Sequence, residues 1–121
     1  MAKLLIIDDE PDAAAALAAL LRHEGHQAGW VQTAGAALEY LRHNSPDLIL
    51  LDLTMPRVDG LDILDALSLE PQYAPLRVAV LSGRDDPESI EAARELGAAD
   101  YILKGGTWEE TYGRIRACLP P

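Results

Sequence analysis

The sequence predicts an α/β fold: a five-stranded parallel sheet, wound in both directions and covered by helices on both faces. Two observations predict it. Five short, continuous apolar runs alternate with stretches carrying helical periodicity. The runs lack a polar alternate face, so each reads as a strand buried on both sides, joined to the next by a crossover helix.

The first run, KLLII at residues 3–7, stops abruptly at Asp8, Asp9 and Glu10. Pro11 suits the first turn of a helix, where its missing N–H costs nothing. The alanine-rich stretch through Leu21 propagates that helix, and Gly25 is a natural stop. Residues 27–32 form the second strand. Thr33 caps a helix carrying Ala34, Leu38 and Leu41 on one face, which Asn44-Ser45-Pro46 breaks.

Residues 47–53, DLILLDL, form the third strand, with Asp52 near its end. A loop over 54–58 leads to a helix holding Leu61, Leu64 and Leu67. Pro71 and Pro75 signal turns before the fourth strand, 76–81, which stops at Ser82-Gly83. Asp86-Pro87 opens a helix with Ile90, Ala93 and Leu96, closed by Gly97. Residues 101–103 are a short fifth strand. Thr107 to Glu110 has the pattern of a capping box, after which Trp108, Tyr112, Ile115 and Leu119 share a helix face. Right-handed crossovers leave strand order 2-1-3-4-5, the flavodoxin-like arrangement, as the leading topology.

The chain has the length of one domain, 1–121, with 119–121 as the expected start of any linker. The longest apolar run, 13–21, is too short for a membrane helix, which needs about 20 residues. No signal peptide precedes the first strand, and a lone Cys118 points to a reducing cytoplasm and to a packing role for that thiol. Twenty acidic against ten basic side chains give a net charge of −10, which repels phosphate backbones and favours cations. Direct nucleic-acid binding and a membrane location are therefore not expected.

The polar residues fall at the strand ends. Asp8 and Asp9 end strand one, Asp52 strand three, Ser82 strand four and Lys104 strand five. All five project from one sheet edge, where ligands collect in doubly wound folds. Clustered carboxylates repel one another unless a cation relieves them. Mg2+ prefers oxygen ligands and suits one or two carboxylates together with a phosphate oxygen; Mn2+ is the expected substitute. Asp52 then serves as a nucleophile toward phosphorus, Lys104 supplies a point charge to a phosphoryl oxygen, and the Ser82 hydroxyl donates to another. None of His23, His26 and His43 falls at a strand's carboxyl end, and all three are expected on the surface. Trp108 and Tyr112 read as core, and Trp30 as either core or a partner contact.

In its motifs the sequence closely resembles the receiver domain of two-component response regulators, over essentially its whole length. The resemblance rests on Asp8-Asp9-Glu10, on Asp52-Leu53-Thr54-Met55-Pro56 followed by Asp59-Gly60, and on Ser82-Gly83 and Lys104. It implies that Asp52 is the phosphoacceptor of a bacterial signalling phosphoprotein. It also implies that Asp8, Asp9, Asp52 and the Thr54 backbone carbonyl surround Mg2+. Ser82 matches the hydroxyl that turns toward the phosphoryl group, and Tyr101 the aromatic switch that follows it. Thr54 and Arg84 hold positions that influence the phosphoryl lifetime. The donor implied is a sensor histidine kinase or a histidine phosphotransfer protein. The output face is helix four, strand five and helix five, acting on a downstream partner or an attached effector domain, with homodimerisation linked to phosphorylation. Such a domain is a stoichiometric acceptor that assists its own phosphorylation and dephosphorylation, and not an enzyme in the turnover sense.

Gly105-Gly106 follow Lys104 where the family usually has proline, often through a cis bond. Either this loop is trans and differs locally, or it keeps the unusual geometry at about 3 kcal/mol. A degenerate receiver acting as a phosphorylation-independent interaction module is the alternative. A phosphatase of the Asp-x-Asp type does not fit, because position 54 is Thr, and a flavin protein would need a Ser/Thr-rich phosphate loop after strand one.

Overall fold

The computed structural model describes residues 1–53, 60–73 and 75–120. Its elements are β1 (Lys3–Ile7), α1 (Pro11–His23), β2 (Gln27–Val31), α2 (Ala34–His43), β3 (Leu48–Leu51), α3 (Gly60–Leu69), a 3-10 turn (Pro71–Tyr73), β4 (Val78–Ser82), α4 (Pro87–Glu95), β5 (Asp100–Leu103) and α5 (Trp108–Cys118). The sheet is parallel throughout, in the expected order β2-β1-β3-β4-β5.

Strand periodicity divides the interior into two cores. Leu4, Ile6, Leu48 and Leu50 face α1 and α5, where they meet Ala14, Ala18, Leu21 and Ile115. Leu5, Ile7, Ile49 and Leu51 face the other way, onto Ala37, Leu41, Ile63, Leu64 and Ala93. Consecutive residues of one strand thus serve opposite layers. Ala14 and Ala18, on the inner face of α1, have no accessible surface and let that helix lie close to the sheet. Trp30, Trp108 and Tyr112 pack against the first core, and Cys118 is buried in it, its thiol pushed up by burial.

The helices start as their sequences dictate. Thr33 Oγ1 accepts the Ala36 N–H at 3.1 Å, and Asp86 Oδ2 accepts the Ser89 N–H at 2.9 Å. At α5 the capping box closes in both directions between Thr107 and Glu110.

Strand limits differ from the sequence pattern where apolarity outruns pairing. Strand three ends at Leu51 rather than at residue 53, although the Asp52 N–H still donates to the Ile7 carbonyl at 3.0 Å. Strand two ends at Val31, β4 covers Val78–Ser82 in place of 76–81, and β5 begins at Asp100. One histidine is not a surface residue. His26 is half-buried: its Nδ1 accepts the Ala2 N–H at 3.1 Å, and its Nε2 lies 2.8 Å from the Tyr112 hydroxyl. His23 and His43 are exposed as expected.

Candidate functional site

Register builds the site. Ile7 pairs with Leu51, so the next residues, Asp8 and Asp52, stand side by side on the two middle strands. Ser82 pairs with Leu103, and the Lys104 N–H donates to the Ser82 carbonyl at 2.9 Å, one step beyond the end of β5. All these groups gather where β1 and β3 diverge toward opposite faces of the sheet.

Asp8 and Asp52 are both buried, each with 6% of its surface exposed, and Asp9 is half-buried beside them. The three carboxylates each present an oxygen, and those oxygens lie within 4.8 Å of one another. Lys104 Nζ bridges the pair, 3.4 Å from Asp52 Oδ2 and 3.5 Å from Asp8 Oδ2. Burial pushes the Asp8 carboxyl above the ordinary carboxylate range, and the Asp52 charge adds to that. The Glu10 N–H, donated to Asp8 Oδ1 at 3.0 Å, and the Lys104 ammonium pull the other way without cancelling it. An all-oxygen donor set, two of its members buried, fits a hard divalent ion such as Mg2+. Among the described residues, three carboxylates meet one lysine there, which leaves negative charge for such an ion to neutralise.

Around this cluster the β4–α4 loop is tied through the backbone of Arg84. The Arg84 N–H donates to Ser82 Oγ at 3.1 Å, and the Arg84 carbonyl accepts the Tyr101 hydroxyl at 2.8 Å. Ser82 has no accessible surface. Tyr101 is half-buried against the second core, and desolvation raises its phenol while the nearby Ser82 hydroxyl opposes that shift. The Arg84 backbone thus links Ser82 to Tyr101, a role that the residue's long cationic side chain does not suggest. Thr54, the expected carbonyl ligand, lies outside the described residues, as do Met55, Pro56 and Asp59.

Two glycines carry geometry that sequence reasoning did not assign. Gly60 opens α3 directly against the end of β3: its N–H donates to the Leu53 carbonyl at 3.0 Å. A Cβ there would fall 2.4 Å from the Asp52 carbonyl oxygen and 2.6 Å from Leu53 Cα. The available signal was a glycine at a helix start, where a capping residue is commoner. After Lys104 the bond to Gly105 is trans, and Gly105 takes φ +103. Of the two geometries left open by the sequence, the locally different trans loop is the one adopted.

A doubly wound domain whose switch point carries three carboxylates and a lysine is a receiver-type module. The chain belongs to that family: the response regulator receiver domain model matches residues 4–116. It is 32% identical over 117 residues to the DNA-binding response regulator MtrA of Mycolicibacterium smegmatis, covering 97% of this chain and 50% of that protein. It is 34% identical over 119 residues to the transcriptional regulatory protein KdpE of Mycobacterium tuberculosis, covering 98% and 51%. The chain thus spans about half the length of the curated relatives it matches. Among solved structures it resembles the BeF3-activated N-terminal receiver domain of Klebsiella pneumoniae RstA, with TM-score 0.88, 27% identity and coverage of 98% and 99%. It also resembles the signal receiver domain of a Syntrophus aciditrophicus histidine kinase, with TM-score 0.87, 28% identity and coverage of 98% and 90%. Among the described residues, no helix is long and apolar enough to cross a membrane.

Proposed function

We propose that this receiver domain accepts a phosphoryl group on Asp52 from a sensor histidine kinase or a histidine phosphotransfer protein. The observation that carries the reading is the position of the Asp52 carboxylate. It is buried at the switch point, with Asp8 and Asp9 oxygens within 4.8 Å and the Lys104 ammonium at 3.4 Å. A carboxylate oxygen of Asp52 attacks phosphorus, the bond to the donor nitrogen breaks with its electron pair leaving on the imidazole, and an acyl phosphate remains on the aspartate. Lys104 follows the charge from the carboxylate onto a phosphoryl oxygen, and the Ser82 hydroxyl donates to another. Asp8, Asp9 and Asp52 would hold the divalent ion, Mg2+ or in its place Mn2+. When bound it neutralises charge on the incoming group.

The consequences run through Arg84. Drawing the Ser82 hydroxyl toward a new anion disturbs the Arg84 N–H that it accepts, and the carbonyl of the same residue holds Tyr101. A local charge change at Asp52 is thereby passed to β5 and the face it shares with α4 and α5. The domain transfers one phosphoryl group per acceptor and is not a turnover enzyme. Its net charge of −10 supports an output through a protein partner or an attached effector domain rather than its own contact with DNA.

Intact mass after incubation with Mg2+ and acetyl phosphate tests this. A gain of one phosphoryl group in the wild type and none in Asp52→Ala is expected. No gain in the wild type, despite Mg2+ binding, would overturn the reading in favour of a phosphorylation-independent interaction module.

A further inference from the structure

We infer that Gly105 is a positioning residue for Lys104: a left-handed glycine turn aims the ammonium at Asp8 and Asp52 together. The inference rests on Asp52 being the phosphoacceptor and identifies how this chain holds its phosphoryl-facing cation. The backbone at Lys104 is fixed to the sheet by its N–H to the Ser82 carbonyl at 2.9 Å. Residue 107 is already the N-cap of α5, so the chain must leave the sheet edge within Gly105 and Gly106. Gly105 makes that departure at φ +103 across a trans bond. Proline, locked near −65°, cannot adopt this conformation, and other L residues do so only with strain. Lys104 directly precedes the turn, and its side chain runs back to place Nζ at 3.4 and 3.5 Å from the two carboxylates.

The environment of Gly105 makes the inference testable. A Cβ at this position meets nothing within 4 Å, so a side chain there changes the backbone preference and no packing contact. Its neighbour Gly106 has no positive φ, and a Cβ there makes ordinary contacts at 3.9 Å with Glu110 Oε1 and Thr111 Oγ1. Any residue that draws position 105 toward negative φ re-forms the turn and carries Lys104 with it. Withdrawing the ammonium has two effects of opposite sign. Phosphoryl transfer loses a counter-charge and slows. The carboxylates lose a competing cation, so a divalent ion binds them more tightly. General loosening of the fold would instead weaken both.

Two measurements decide the matter on Gly105→Ala, Gly105→Asn, Gly106→Ala and Lys104→Met. One is the rate of mass gain with acetyl phosphate; the other is affinity for Mg2+ alone by titration calorimetry. Gly105→Ala is expected to slow phosphorylation about 5–30-fold, the population change that left-handed strain imposes on a non-glycine residue. Its Mg2+ affinity should rise, in the direction of Lys104→Met. Gly105→Asn should recover most of both values, because asparagine visits the left-handed region, and Gly106→Ala should match the wild type. A wild-type rate in folded Gly105→Ala, or a loss of both rate and Mg2+ affinity, would overturn the inference. Should Gly105→Ala not fold, Gly105→Asn is compared with Lys104→Met. Residual changes in the Lys104→Met direction, or wild-type values, support the inference, and a slower rate with weaker Mg2+ binding refutes it. A wild type that takes up no phosphoryl group sinks the proposed function, and the Mg2+ comparison still decides the role of Gly105.

Discussion

Replacing Gly60 by alanine tests whether α3 is seated directly against the phosphoacceptor's own backbone. The added methyl would sit 2.4 Å from the Asp52 carbonyl oxygen, 2.6 Å from Leu53 Cα and 3.1 Å from the Asp52 carbonyl carbon. Real contacts of this kind stay beyond 3.0 Å, so something must yield by more than half an ångström. All three obstacles are backbone, and none can rotate aside. Leu53 is fully buried, and Asp52 is tied to β1 through its N–H to the Ile7 carbonyl. Overpacking costs typically 1–3 kcal/mol, and with only backbone to displace the loss should reach about 3 kcal/mol. For a domain of this size that lowers Tm by roughly 10 °C or more. The displaced atoms belong to the residue that carries the reacting carboxylate. A misplacement near 1 Å can cost about a hundredfold in rate, so phosphorylation by acetyl phosphate should slow about tenfold. Thermal melts by circular dichroism and intact-mass kinetics, run below the melting range of both proteins, provide the numbers. A Tm within about 2 °C of wild type together with an unchanged rate would refute the claim that Gly60 is required for close approach.

Three further outcomes follow from the same geometry. Burial raises the Asp8 carboxyl above its ordinary 3.8, so the native state binds that proton more tightly than the unfolded chain does. The group's contribution to stability is therefore complete below that ordinary value and lost as pH rises through the folded one. Asp8→Asn, which can still accept the Glu10 N–H, should raise Tm at pH 7 in metal-free buffer, the gain shrinking as pH falls toward 4; a lower Tm at pH 7 would contradict this. Mg2+ at about 100 times its Kd should stabilise the wild type by about 2.7 kcal/mol, measured by thermal shift, and Asp52→Asn should lose most of that increment. Thr107→Ala removes one half of the α5 capping box and should cost about 1 kcal/mol in urea denaturation, whereas an unchanged midpoint would mean that the box is dispensable.

The fold was legible because each strand is a short apolar run that stops at a polar residue. The same stops, Asp8, Asp52, Ser82 and Lys104, marked the site, since parallel strands bring all their carboxyl ends to one edge. Less legible was anything decided by contacts between distant segments. His26 reads as a surface histidine until Tyr112, 86 positions away, comes within 2.8 Å of it. Gly60 looks like an indifferent helix start until the end of β3 is set against it. The run DLILLDL extends past the last paired residue of its strand because Leu53 is buried by packing and not by the ladder. At Gly105 the sequence posed two backbone solutions, and only the three-dimensional path from β5 to α5 selects between them.

The order of the strands also sets which parts of the pocket open first. Asp52 follows β3, the central strand, whose four residues are at most 1% exposed, and Asp8 follows β1, paired on both sides. Tyr101 and Lys104 belong to β5 and its exit, at the margin of the sheet, where Leu103 is 42% exposed and only β4 supplies pairing. Amide protons of β1 and β3 should accordingly exchange with solvent only at global opening, and those of β5 through smaller, more frequent excursions. The carboxylates are anchored in the part of the molecule that yields last, and the groups that answer them ride on the part that yields first. The margin can detach and re-form many times while the acidic pocket stays assembled.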